Sequence, residues 1–179
     1  MSNNKVTAAT DSTDDAQSSV FQLSIREANG QYRQATGEEV IQAARRAIAR
    51  KFRRGTSLTT PRLTQDFLRL QLAPLEHEIF SCIFVDSRHK VLGYREMFRG
   101  TVDGASVHPR EVMKEALGCN AAAVIFAHCH PSGNPEPSRA DEIITTKLKE
   151  ALALIDIRVL DHIIVAGDET LSMAERGYL

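Results

Sequence analysis

The residues best placed to do chemistry lie close together in the chain. His128 and His130 flank Cys129, and Asp141 follows after the ten residues from Pro131 to Ala140. On an extended backbone, side chains two residues apart point the same way. Both imidazoles can therefore reach one metal ion, while Cys129 turns to the opposite face. The loop Pro131-Ser132-Gly133-Asn134-Pro135-Glu136-Pro137-Ser138 contains three prolines and cannot be regular structure. Ser138 is positioned to N-cap the next helix, with Asp141 in its first turn. There the helix dipole favours a carboxylate, which can aim back at the histidines. Two neutral imidazoles and one carboxylate leave a fourth tetrahedral position for water, the open geometry of a catalytic zinc site. Taken singly, His-x-His is compatible with two surface residues and Asp141 with a helix-dipole partner. The histidine pair, the stiff loop and the placed aspartate together are harder to obtain by chance.

The surrounding pattern predicts the elements that must hold this group. Ala121 to Ala127 is almost wholly apolar and reads as a central strand running into His128. A long helix is expected over Asp141 to Leu154. Ile79 to Val85 reads as a buried strand, Asp86 to His89 as a turn and Val91 to Phe98 as a second strand. A helix over Glu111 to Leu117 follows His108-Pro109. Two short strands are expected at Ile157 to Leu160 and His162 to Val165, and another near Leu171 to Met173. Further upstream, Thr60-Pro61 opens a helix with Leu63, Phe67, Leu68 and Leu70 on its buried stripe, ended by Pro74. Thr36-Gly37-Glu38-Glu39 is a capping box for a helix carrying Val40, Ile41, Ala44 and Ile48. Before it, Phe21, Leu23 and Ile25 alternate with polar residues, and Asn29-Gly30 marks a hairpin turn. Buried strands interleaved with helices indicate a layered α/β protein.

The chain has 179 residues, 42% of them apolar and 25% charged, with a net charge of −1. That is room for one domain with a sizeable core. No apolar run approaches the ~20 residues of a membrane-spanning helix. Residues 1 to 18 are polar and read as a disordered tail, without the apolar stretch of a secretory signal. Three cysteines, Cys82, Cys119 and Cys129, have no paired spacing, which points to a reducing, cytoplasmic setting. Of the other histidines, His162 is expected to be a hydrogen-bonded core residue. His108 is expected to order the loop before its helix, and His77 and His89 to lie at the surface.

The spacing His-x-His, ten residues, Asp resembles the JAMM, or MPN-plus, metalloprotease signature. From roughly Ser57 to Leu179 the sequence is similar to the RadC branch of that group. His108-Pro109-Arg110-Glu111, His130-Pro131-Ser132-Gly133, Pro137-Ser138-Arg139-Ala140-Asp141, Leu160-Asp161-His162-Ile163-Ile164-Val165 and Ala174-Glu175-Arg176-Gly177 carry the likeness. Cys129 departs from it, since RadC proteins usually have Asn between the histidines. As a fourth, soft ligand Cys129 would close the site. The resemblance implies an α/β fold of layered α-β-α JAB/MPN type (cytidine-deaminase-like), with a mixed central sheet, over residues 57–179. Residues 19–56 would form a small hairpin and basic helix ahead of it. Longer members also carry a helix-hairpin-helix region, of which this chain has no room for a full copy.

The resemblance further implies a zinc hydrolase that cleaves amide or isopeptide bonds of a peptide or protein substrate with a metal-activated water. Zn²⁺ would be held by His128, His130 and Asp141. The match for the family's proton-accepting carboxylate is Glu78, with Glu76 as fallback, and Ser138 matches the serine that stabilises a developing oxyanion. The alternative is a DNA repair or recombination-associated, or mobile-element accessory, protein whose metal site is structural or vestigial. Charge separates the two regions. Residues 1–56 hold nine basic and six acidic side chains, and residues 57–179 hold 13 and 17. The basic cluster Arg45, Arg46, Arg50, Lys51, Arg53 and Arg54 could contact DNA phosphates or be a solvated helix face.

Overall fold

The computed structural model describes residues 23–58, 60–100 and 106–179. The tail expected over residues 1–18 lies outside them. The chain divides into two compact units between Val40 and Ile41.

In the first unit, β1 (Ser24–Arg26) and β2 (Tyr32–Gln34) form the expected antiparallel hairpin. Gly30 takes a φ of 85°, which a left-handed turn position requires. Helix α1 (Gly37–Lys51) starts in this unit on the Thr36/Glu39 capping box. The Glu39 amide donates to Thr36 Oγ1 at 3.3 Å, and the Thr36 amide donates to Glu39 Oε2 at 2.9 Å.

The second unit is built on one five-stranded sheet in the order β4-β3-β5-β6-β7. Its strands are β3 (Ile79–Val85), β4 (Val91–Arg99), β5 (Ala123–Cys129), β6 (Arg158–Ala166) and β7 (Glu169–Ser172). Only β5 and β6 run parallel, so the sheet is mixed. The parallel pair needs a crossover, and α4 (Arg139–Ala153) supplies it. Helices α2 (Pro61–Leu72) and α3 (Pro109–Gly118) complete the α-β-α layering.

Period-two alternation assigns each buried strand residue to a face. Ile83, Val85, Ile125, Ala127 and Cys129 pack with Phe67, Leu68 and Leu72 of α2. Phe80, Phe84, Val124 and Phe126 pack with Val112 and Ala116 of α3 and Leu148 and Leu152 of α4. Phe52, just past α1, stacks on Phe67 with ring centroids 3.8 Å apart.

Three expected elements are redrawn. The strand expected over Ala121–Ala127 lies at Ala123–Cys129 and takes in His128 and Cys129. The two short strands expected around Asp161 are one strand, β6. Val159 pairs with Val124 and Asp161 with Ile125, so Leu160 is an extra residue in the ladder. A bulge of this kind interrupts the apolar pattern without ending the strand. His77, expected at the surface, is half-buried beside the end of β4, where Arg99 donates to its imidazole. His89 is exposed.

Candidate metal centre

The site forms where β5 ends and α4 begins. His128 is the sixth residue of β5 and 5% exposed, on the face that carries Phe126. His130 stands one residue beyond the strand, so both imidazoles fall on the same side. Cys129 goes to the other side, where its thiol donates to the His77 carbonyl, and burial raises that thiol above its ordinary range. Helix α4 starts on a second capping box. The Ser138 amide donates to Asp141 Oδ2 at 2.7 Å, and the Asp141 amide donates to Ser138 Oγ at 3.2 Å. The Ser138 hydroxyl also donates to Asp141 Oδ2, at 2.6 Å. Asp141 is thereby fixed on a helix N-terminus and turned toward the strand end.

The donor atoms of the three side chains converge. His128 Nε2 and His130 Nε2 are 2.8 Å apart. Asp141 Oδ1 is 3.2 Å from His128 Nε2, and Oδ2 is 3.5 Å from His130 Nε2. Ligands about 2.0–2.1 Å from a tetrahedral zinc lie roughly 3.3 Å from one another, close to these spacings. The residues present therefore fit a metal ion, and one ligand atom from each lies within 4.8 Å of the others.

The electrostatics agree. Burial would raise the Asp141 carboxyl, but hydrogen bonds and charge from His128 and His130 outweigh it and hold the group well below the usual carboxylate range. The hydrogen bond to Asp141 raises His130 against the opposing effect of burial. His130 Nδ1 lies 2.7 Å from the Asn134 carbonyl, which only accepts, so this nitrogen carries the proton. Behind His128, its Nδ1 meets His162 Nε2 at 2.8 Å. Burial lowers the His162 imidazole well below its ordinary range and keeps it neutral.

The group opens into a cavity of about 690 Å³. Glu78, immediately before β3, lines it, and so does Ser138. Glu76 is exposed and not among the lining residues. Ile79, Phe80, Val107 and Ile144 give it apolar walls. Glu136 is a further carboxylate, and no Lys or Arg lines it among the described residues. The structure thus brings together His128, His130 and Asp141, and places Glu78 and Ser138 on the same cavity. In the basic cluster, Arg46, Arg50, Arg53 and Arg54 are exposed and Arg45 is half-buried, its Nε without a partner. Sequence reasoning placed His162 in the core without linking it to the site, and passed over Thr145. Only the pairing of β6 beside β5 and the packing of α4 against them bring the two residues to the back of His128.

A family model described as the RadC-like JAB domain matches residues 58–178. A UPF0758 protein of Nitrosococcus oceani is 62% identical over 139 residues, covering 78% of this chain and 62% of the relative. Another from Thioalkalivibrio sulfidiphilus is 53% identical over 150 residues, covering 84% and 67%. One from Vibrio cholerae is 54% identical over 140 residues, covering 78% and 88%. The chain spans a little under two thirds of the Nitrosococcus protein. The shared designation specifies no reaction. No described helix is long and apolar enough to cross a membrane.

Proposed function

The chain belongs to the RadC-like JAB domain family, and on that footing we propose that it is a zinc-dependent hydrolase of the JAMM type, cleaving a peptide or isopeptide bond. One observation carries this reading. Two imidazoles and a carboxylate converge at 2.8–3.5 Å on the wall of a cavity that a further carboxylate, Glu78, also lines.

His128, His130 and Asp141 would hold the ion. Zinc bound there would act as a Lewis acid and bring the pKa of a water down to about 7. Glu78 accepts the proton of the attacking water and returns it to the leaving amine. Ser138 can donate to a developing oxyanion only by turning its hydroxyl away from Asp141 Oδ2. Its backbone amide keeps Asp141 oriented while it does so. The lining supports a peptide rather than a polyanion, since three carboxylates and no cation face the cavity among the described residues.

Metal content and cleavage test this together. The purified protein should carry about one zinc per chain, lost in a His128→Ala, His130→Ala double variant. Glu78→Gln should keep the zinc and lower cleavage of a peptide library by about 10²–10⁴. Loss of zinc in Glu78→Gln would make Glu78 a ligand. Zinc without any cleavage would favour the recombination-associated reading with a structural metal.

A further inference from the structure

Behind the candidate ligands runs a line of buried polar groups that the proposed chemistry does not use. His128 Nδ1 is 2.8 Å from His162 Nε2. His162 Nδ1 is 2.6 Å from Thr145 Oγ1. Thr145 Oγ1 is in turn 2.5 Å from the main-chain carbonyl of Asp141. His162 is fully buried and Thr145 is 1% exposed. The rings of Phe80 and Phe126 pack edge-on against His162, with centroids 5.5 and 5.8 Å away.

The direction of every hydrogen in this line follows from its last member. A carbonyl oxygen only accepts, so the single Thr145 hydroxyl hydrogen points at Asp141. The Thr145 oxygen must then accept from His162, which places the His162 proton on Nδ1 and leaves a lone pair on Nε2. That lone pair accepts from His128, which places the His128 proton on Nδ1. The opposite polarity would put the His128 proton on Nε2, facing the cavity, where no metal ion could be bound. His130 is set independently, since its Nδ1 donates to the Asn134 carbonyl. The Nε2 lone pairs of both rings therefore face each other across 2.8 Å beside a carboxylate, an arrangement that only a cation satisfies.

We propose that His162 and Thr145 are positioning residues. They lock His128 in its metal-accepting tautomer and couple that choice to the first turn of α4, which carries Asp141. The inference rests on the metal-binding reading of the site. Outer-shell partners of this kind typically contribute about 10–100-fold in metal affinity.

Thr145→Val removes the hydroxyl and keeps the shape of the side chain, while Thr145→Ser keeps the hydroxyl. Zinc affinity, read by competition with a chromogenic chelator, should fall about 10–100-fold in Thr145→Val and return in Thr145→Ser. Long-range ¹H–¹⁵N spectra of the zinc-loaded parent should show His162 protonated at Nδ1 and bare at Nε2. Parent-like affinity in Thr145→Val, or a proton on His162 Nε2, would overturn the inference. Should Thr145→Val fail to fold, His162→Gln and His162→Leu decide in its place. The Gln amide oxygen can stand where Nε2 accepts, so affinity should survive in His162→Gln and fall in His162→Leu. Equal affinities in the two would overturn it. A parent that takes no zinc removes the metal reading itself, whereas a tight-binding parent with an equally tight Thr145→Val removes only this inference.

Discussion

Two helices in this chain begin with the same device. At α1, Thr36 and Glu39 exchange backbone and side-chain hydrogen bonds. At α4, Ser138 and Asp141 do the same. Each box satisfies otherwise orphaned amides of a first turn, and each sets a carboxylate in the favourable field of a helix N-terminus. They differ in what the carboxylate faces. Glu39 meets Arg33 at the surface, through two guanidinium hydrogen bonds of 2.8 and 2.6 Å. Hydrogen bonding to that guanidinium, then to Thr36, brings its pKa to about 2. Asp141 meets two imidazoles at the end of the central strand and borders a cavity. Arg33 already neutralises its carboxylate with a fixed cation, whereas the histidine pair leaves room for one from outside. A capping box locates a helix start; the partner opposite it decides whether the carboxylate is structural or is available to a ligand.

The sharpest way to break this comparison is to remove the charge from the second box. Asp141→Asn should weaken zinc binding by more than the 100-fold or so that outer-shell changes reach. Loss of the dipole interaction alone should cost only about 0.3–1 kcal/mol, so the metal-free variant should melt close to the metal-free parent. Calorimetric zinc titration and thermal melts separate the two effects. Zinc binding as tight as the parent's would reduce the second box to the status of the first.

Removing the capping hydroxyls should have a smaller effect, and a more nearly matched one. Thr36→Ala and Ser138→Ala should each cost on the order of 1 kcal/mol of stability. Only Ser138→Ala should also slow peptide cleavage, because Ser138 lines the cavity. Equal turnover in the two variants would confine Ser138 to capping.

The smallest effect is expected from the basic cluster. Reversing the charges of Arg45, Arg46, Arg50 and Lys51 should leave zinc affinity unchanged, since these residues precede the segment that carries the candidate ligands. We propose that these residues contact DNA phosphates. Filter binding at several salt concentrations should then show weaker affinity and a salt slope shallower by about one for each phosphate no longer neutralised. Unchanged DNA binding in the reversed variant would leave the cluster a solvated helix face.

How much of this was legible in the sequence follows from the range of each interaction. Ser138 and Asp141 were readable because a capping box is local, and His128 with His130 because strand alternation is local. The layered sheet was readable from apolar runs separated by turns. Glu78 and Glu76 look alike in sequence, two residues apart on what would be one side of an extended chain. Only the closure of the cavity around the start of β3 separates them. The line through His162 and Thr145 joins residues 17 and 34 positions apart. No spacing rule encodes such a contact, since it exists only once α4 and β6 have packed against β5.

The extra residue in β6 carries a consequence for which side of the sheet each later residue serves. Ile157 and Val159, ahead of Leu160, pack on the α3 and α4 side. After it, the odd positions Ile163 and Val165 pack on the α2 side, and His162 stands against Phe80 and Phe126 on the other. The strand is thus written in two reading frames, odd-inward before the insertion and even-inward after it. The same strand paired residue for residue, with Leu160 in the ladder and no bulge, would place the imidazole beneath α2, with the whole sheet between it and His128.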